Sequence, residues 1–297
     1  MLSKLSERAM LVKFSRSAWG ARKNDKKVEK EIETAHSAHD AGRYSKILIA
    51  KDALEEGQKK ANDARTFFYS QTLPYDDDGW RIITTKNFLP FTEEMRRKIG
   101  EIEQADRGFL ENYPQFVEDA RIRLNGLFNE SDYPAIGKIT KKFSVSVTTN
   151  PLPDSSNFPG NLQSIVDDLS IDLETRLNEI QSRAMSDLWN RLYEAIERIS
   201  DTLSDENAIF RDSLIKNLVD LCDLLPRLNL TEDPDLERLR QEAATKLTRY
   251  SPEDLRPKNA KGEWRQEAIR TENRKKTAGD AAELLKSMDA YFTPPVN

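Results

Sequence analysis

The sequence predicts a mainly α-helical protein with a small β element, arranged as an elongated helical bundle built on a long helical hairpin. Three observations predict it. From Leu162 the apolar positions run Leu162, Ile165, Leu169, Leu173, Leu177, Ile180, Ala184, Leu188, Leu192, Ile196, Ile199 and Leu203. Each step is three or four residues, which sets these side chains on one helix face. Second, Phe143 to Thr149 alternates Phe143, Val145 and Val147 with Ser144, Ser146 and Thr148, the pattern of a strand. Third, 33% of the residues are charged against 37% hydrophobic, and the mean hydropathy is -0.72. That composition suits long exposed helices better than a compact globule.

In chain order, Met10, Val12 and Phe14 alternate with Lys13 and Ser15, predicting a short strand over Met10–Ser17 that Gly20 ends. A basic run follows at Arg22, Lys23, Lys26 and Lys27. Asp25 is placed to cap a helix reaching about His39, with Gly42 breaking the pattern. Leu48 to Phe67 predicts further helix to about Ser70. Leu73-Pro74 and Asp76-Asp77-Asp78-Gly79 read as a turn, and Trp80 to Thr85 as a second short strand. Pro90 and Pro114 each mark a helix start, and Asp132-Tyr133-Pro134 opens a shorter one. A lone strand is unstable, so Met10–Ser17 is expected beside Phe143–Thr149 in a small sheet.

Asp154 to Gly160 reads as a linker into the long helix, and Ser204 to Asn207 as the break before a second arm. That arm carries Ile209, Phe210, Leu214, Ile215, Leu218, Val219, Cys222 and Leu225, and stops at Pro226. Beyond a turn at Thr231 to Pro234 come a helix over Leu236 to Tyr250, a loose stretch from Ser251 to Glu263, and a polar helix from about Gln266 to Tyr291. Thr293-Pro294-Pro295 forms the tail. Three regions result: an α+β region over 1–153, the hairpin over 161–230, and C-terminal helices over 231–297.

Few function classes find support. With 46 basic and 51 acidic residues the net charge is -5, which marks no general nucleic-acid binder. A single cysteine, Cys222, excludes a disulfide within the chain and reads as a small buried hydrophobe in a reducing compartment. Met1 to Arg8 lacks the apolar run of a signal peptide, and no eighteen residues are consecutively apolar. The expectation is a cytoplasmic protein with no membrane partner. Glycine-rich phosphate loops, GxSxG, HExxH and CxxC are all missing from the sequence, so an enzyme is not expected. His36 and His39 could share a helix face, yet a metal site needs a stronger ligand set, so neither metal nor cofactor is assigned. Asp76-Asp77-Asp78 reads as a solvated turn rather than a cation loop.

Two surfaces remain as candidates. The long apolar face is either buried within the chain or packed against a copy or partner, with Leu177, Leu188 and Leu192 as its test positions. Its mean step of about 3.7 residues departs from the 3.5 of a plain zipper. The alternative is single-stranded nucleic acid held by Trp19, Arg22, Lys23 and Lys27, because aromatic rings among cations suit stacked bases and phosphates. A second basic stretch lies at Arg265, Arg270, Arg274, Lys275 and Lys276. Interleaved glutamates make both stretches read as solvated helix faces, with Trp19 as a core residue.

The passages AWGARKNDKKV, HDAGRYSKILI, ARTFFYSQTLPYDDDGWRI, ARIRLNGLFNESDYP and LWNRLYEAIERISDTLSDENAIFRDSLIKNL carry a resemblance. From about Leu11 to about Pro234 the chain resembles a set of uncharacterised helical proteins of tailed bacteriophages, prophages and other mobile elements. Related proteins are often encoded beside MoxR-type AAA+ ATPases, von Willebrand A-type proteins or recombination genes. The resemblance implies an accessory role in phage DNA metabolism or remodelling, in the cytoplasm of the bacterial host, and transfers no functional residue. Together these readings give a non-enzymatic protein acting as a homo-oligomer or by docking on an AAA+ ATPase or DNA-metabolism protein.

Overall fold

The computed structural model describes residues 5–154, 163–205, 208–256, 264–289 and 291, with the side chains of 163–167 and 264–266 left out. Helix accounts for 69% and strand for 11%, so the class is mainly α with a small antiparallel sheet. Leu162, the side chains of Ile165 and Arg265, residues 155–160 of the linker, Glu206 and Asn207 of the break, 257–263 and the Thr293-Pro294-Pro295 tail lie outside the described residues.

A single turn, α1 (Leu5–Arg8), leads into β1 (Ala9–Ser17). After β2 (Arg22–Asn24), Asp25 caps α2 (Lys26–His36) by accepting from the backbone N of Lys27. The helix stops before the expected His39 because Ser37 turns left-handed, with φ at 50°. Next come β3 (Ser45–Ile47), a 3-10 turn at Lys51–Leu54, α3 (Glu55–Ser70), β4 (Leu73–Pro74) and β5 (Arg81–Thr84). The Leu73-Pro74 step is thus a minimal strand, and the turn proper lies beyond it. There Asp76 Oδ1 accepts from the backbone N of Asp78 and Trp80.

The largest departure from expectation is α4 (Thr85–Leu124), one helix of 40 residues that runs through both Pro90 and Pro114. Each proline forfeits one backbone bond, at a cost of roughly 3 kcal/mol in a helix interior. Phe91, Met95, Ile102, Phe109, Tyr113 and Ala120 are all buried along one side of it, and that continuous apolar contact outweighs the two breaks. Short α5 (Ile136–Thr140) and β6 (Ser144–Pro151) follow. The strands order as β4-β5-β1-β6, with β1 and β6 adjacent as the instability of a lone strand predicted. The remainder is helical: α6 (Gln163–Ser204), α7 (Ser213–Leu228), α8 (Pro234–Leu247), α9 (Pro252–Leu255) and α10 (Trp264–Asp289). Pro226 sits inside the last turn of α7 rather than ending it.

The chain forms two compact units interleaved in sequence. Unit 1 takes the described parts of 1–12, 71–89 and 149–297, and unit 2 takes 13–70 and 90–148. In unit 1, α6 packs along α10 and against α7 and α8. Ala184, Leu188, Leu192, Ile196, Ile199 and Leu203 are buried there among Leu218, Cys222, Leu225, Leu239, Ala281 and Leu284. The leucine face is therefore consumed by the unit's own core from Ala184 onward. Burial also pushes the Cys222 thiol up to about 11. Arg274, from the second basic stretch, is buried and closes the C-terminus of α6. It donates to the carbonyls of Thr202 at 2.7 Å and Leu203 at 3.0 Å, which have no acceptor role left inside the helix.

In unit 2, β2 and β3 pair antiparallel, Arg22 opposite Ile47 and Asn24 opposite Ser45. Three-residue strands hold poorly alone. Buried Lys46 anchors this pair, reaching Asp25 at 2.6 Å, Asp132 at 2.7 Å and the Leu127 carbonyl at 3.0 Å. Burial alone would raise the Asp132 carboxyl, but hydrogen bonds from Lys23 and Lys46 outweigh it and hold it below its ordinary 3.8. The Lys46 bond likewise lowers Asp25. Groups with depressed folded values stabilise above their unfolded value and lose that contribution as pH falls through the folded one. Wild type should therefore hold a constant advantage over Asp132→Asn from about pH 7 to about pH 5, shrinking below about pH 4. Urea midpoints measured across that range check it.

Candidate functional site

Unit 2 contains a cleft of about 1050 Å³. Its walls are the end of β1 with Ala18 to Arg22, the first turns of α3 with the 3-10 turn before it, the middle of α4, and Phe143. The reason for the opening is local. Gly20, Ala21, Ala53, Gly57, Ala105 and Gly108 all line it, and side chains this small leave space between the elements that carry them. A Cβ built on Gly108 would meet nothing within 4 Å, whereas one on Gly57 would lie 3.4 Å from Asp106 Oδ1.

Aromatic rings floor the cleft. Trp19 is 8% exposed and packs at 6.3 Å from Phe109 and edge-on at 5.8 Å from Tyr113. Phe109 also meets Phe116 and Phe143, each with ring centres 5.6 Å apart. Tyr113 donates to the Pro134 carbonyl at 3.0 Å, and burial pushes its phenol up to about 12. Across this floor runs a two-pronged ion pair. Arg16 Nη1 donates to Asp106 Oδ2 at 2.8 Å and Nη2 to Oδ1 at 2.6 Å. The two side chains are only 7% and 11% exposed, and the guanidinium lies 5.6 Å from the centre of the Phe143 ring. Such a fork fixes both partners in one geometry, which pre-shapes the floor before anything binds. Further out stand Arg22, Lys51 and Lys59 with Asp52, Glu55, Glu56 and Asp63.

The residues singled out from sequence scatter over this geometry. Trp19 and Arg22 line the cleft, Trp19 as part of the unit's core and Arg22 exposed on β2. Lys23, opposite Lys46 on β3, donates to Asp132 at 2.6 Å instead. Lys27 is exposed in the first turn of α2. In unit 1, Leu188 and Leu192 are fully buried and Leu177 is half-buried against the same core. His36 and His39 are exposed, and among the described residues no group of three His, Cys, Asp or Glu side chains is placed to hold a metal ion. Nor is any described helix long and apolar enough to cross a membrane. The Arg16–Asp106 pair was not foreseen, since 90 residues separate its members.

None of the family models, curated proteins or solved structures compared with the chain matches it.

Proposed function

We propose that this is a non-enzymatic accessory protein of a bacteriophage or related mobile element, which docks on a protein partner through the cleft of unit 2. The cleft is the observation that carries the reading. Its volume of about 1050 Å³ stands at the upper end of small-molecule pockets, and it suits several side chains of a bound polypeptide. Aromatic rings offer the apolar anchor such contacts favour, and a mouth carrying both signs of charge suits a polypeptide better than a polyanion. The resemblance to phage and prophage proteins supplies the partner class: an AAA+ ATPase or a protein of DNA metabolism in the bacterial cytoplasm. α6 packs with α7, α8 and α10 in the core of unit 1, which uses Leu188 and Leu192 for itself.

Filling the cleft tests this. At Gly108 an added Cβ meets nothing within 4 Å, and Gly108→Phe replaces a poor helix former, so the variant is expected to fold, which circular dichroism checks. Binding to the element's own AAA+ ATPase and recombination proteins, followed by fluorescence anisotropy, should weaken at least about tenfold in the variant. Retention of a short single-stranded oligonucleotide that falls steeply with salt, and that is lost on reversing Arg22 and Lys23, would instead favour the nucleic-acid alternative.

A further inference from the structure

The four-stranded sheet ends on two unlike edges. β4 is two residues long, closes on Pro74 and lies against α6. β6 is eight residues long, and among the described residues no strand stands on its other side. Only Val145 and Val147 of β6 are half-buried, and its remaining residues are exposed. From Phe143 to Asn150 there is no charged residue. Strand edges are ordinarily blunted by brevity, proline, lysine or a cover, because their outward N–H and C=O groups template further pairing. β4 carries three of these devices, while β6 carries only the proline at its end.

The order of residues in β6 says which strand fits. Counted outward from Ser146, the strand matches its own reverse: Val145 with Val147 and Ser144 with Thr148. Laid antiparallel on a second copy, each of these residues meets a partner of a kind that stabilises a sheet: valine on valine and hydroxyl on hydroxyl. Ser146 meets itself on the two-fold axis, and no like charges stand opposite one another. Lys141 and Lys142 fall beyond this stretch, opposite Pro151 and Asn150. We propose that two copies of this chain pair antiparallel through β6, centred on Ser146. A two-fold contact of this kind is complete at two copies, so it builds a dimer and no fibre. The paired residues, Ser144 to Thr148, are not among those that line the cleft of unit 2.

Because position 146 faces itself, charge decides the test. At about 100 μM, where a micromolar interface is filled, light scattering on the full chain should give twice the single-chain mass of 34.1 kDa. Ser146→Lys alone and Ser146→Glu alone should each weaken pairing by at least about tenfold. An equal mixture of the two should restore the double mass. Circular dichroism confirms that each variant is folded. If either is not, Ser144→Lys with Thr148→Lys, against Ser144→Glu with Thr148→Glu, repeats the experiment one pair outward. A wild type at single mass overturns the proposal, even if it takes up a strand from another protein. So do folded variants that stay paired, or a mixture that does not recover.

Discussion

Leu192→Ala lowers the stability of unit 1 by about 2–5 kcal/mol, the range for emptying a fully buried leucine site. Leu192 is completely enclosed where α6 meets the rest of its unit, so the lost methyl groups leave a hole that the surrounding side chains only partly fill. Leu177→Ala, at a half-buried position of the same face, costs about 1 kcal/mol or less. The contrast matters because both positions belong to one sequence pattern. A face used between copies would give similar losses at both, each depending on protein concentration. Burial within unit 1 instead gives unequal losses independent of concentration, read as denaturant midpoints of the unit 1 transition. Two units need not unfold together, so the transitions are followed separately, by fluorescence of backgrounds in which Trp189 or Trp19 is the one tryptophan kept of the four, for unit 1 and unit 2 respectively.

Asp106→Ala is the corresponding change in unit 2, and it is expected to cost about 3–5 kcal/mol. The loss comes less from the bond itself than from what is left behind, a guanidinium at 7% exposure with no carboxylate beside it. Arg16→Met combined with Asp106→Leu should therefore recover most of the loss, since two apolar groups of similar bulk leave no orphaned charge. Unfolding of the single and double variants in guanidinium chloride measures this as a cycle. Equal destabilisation in the double variant would mean that the fork is needed for the shape of the floor and not only for charge balance.

Much of the fold could be read from the sequence where the determinants are local. Alternation at Phe143 to Thr149 and Met10 to Ser17 named two strands, and the instability of lone strands paired them. Asp25 caps α2 as its position suggested. Departures came where tertiary contact overrides a local signal. Pro90 and Pro114 read as helix starts, yet the buried side of α4 carries the helix through both. β2 and β3 are polar three-residue strands with no apolar pattern to announce them, and ion pairs to Lys46 hold them. The cleft was hidden for the same reason. Ala53 and Gly57, like Ala105 and Gly108, are ordinary small residues until packing sets them face to face.

The most direct measurement is photocrosslinking from inside the cleft. p-Benzoylphenylalanine in place of Asn112, which is exposed and lines the opening, is compared with the same group in place of Glu253 on α9 of unit 1. In host cells carrying the parent element, the Asn112 position should give a discrete protein adduct. That adduct should be missing from the Glu253 position and abolished when Gly108→Phe is added. Adducts to nucleic acid alone, or the same protein adducts from both positions, would contradict a partner seated in the cleft of unit 2.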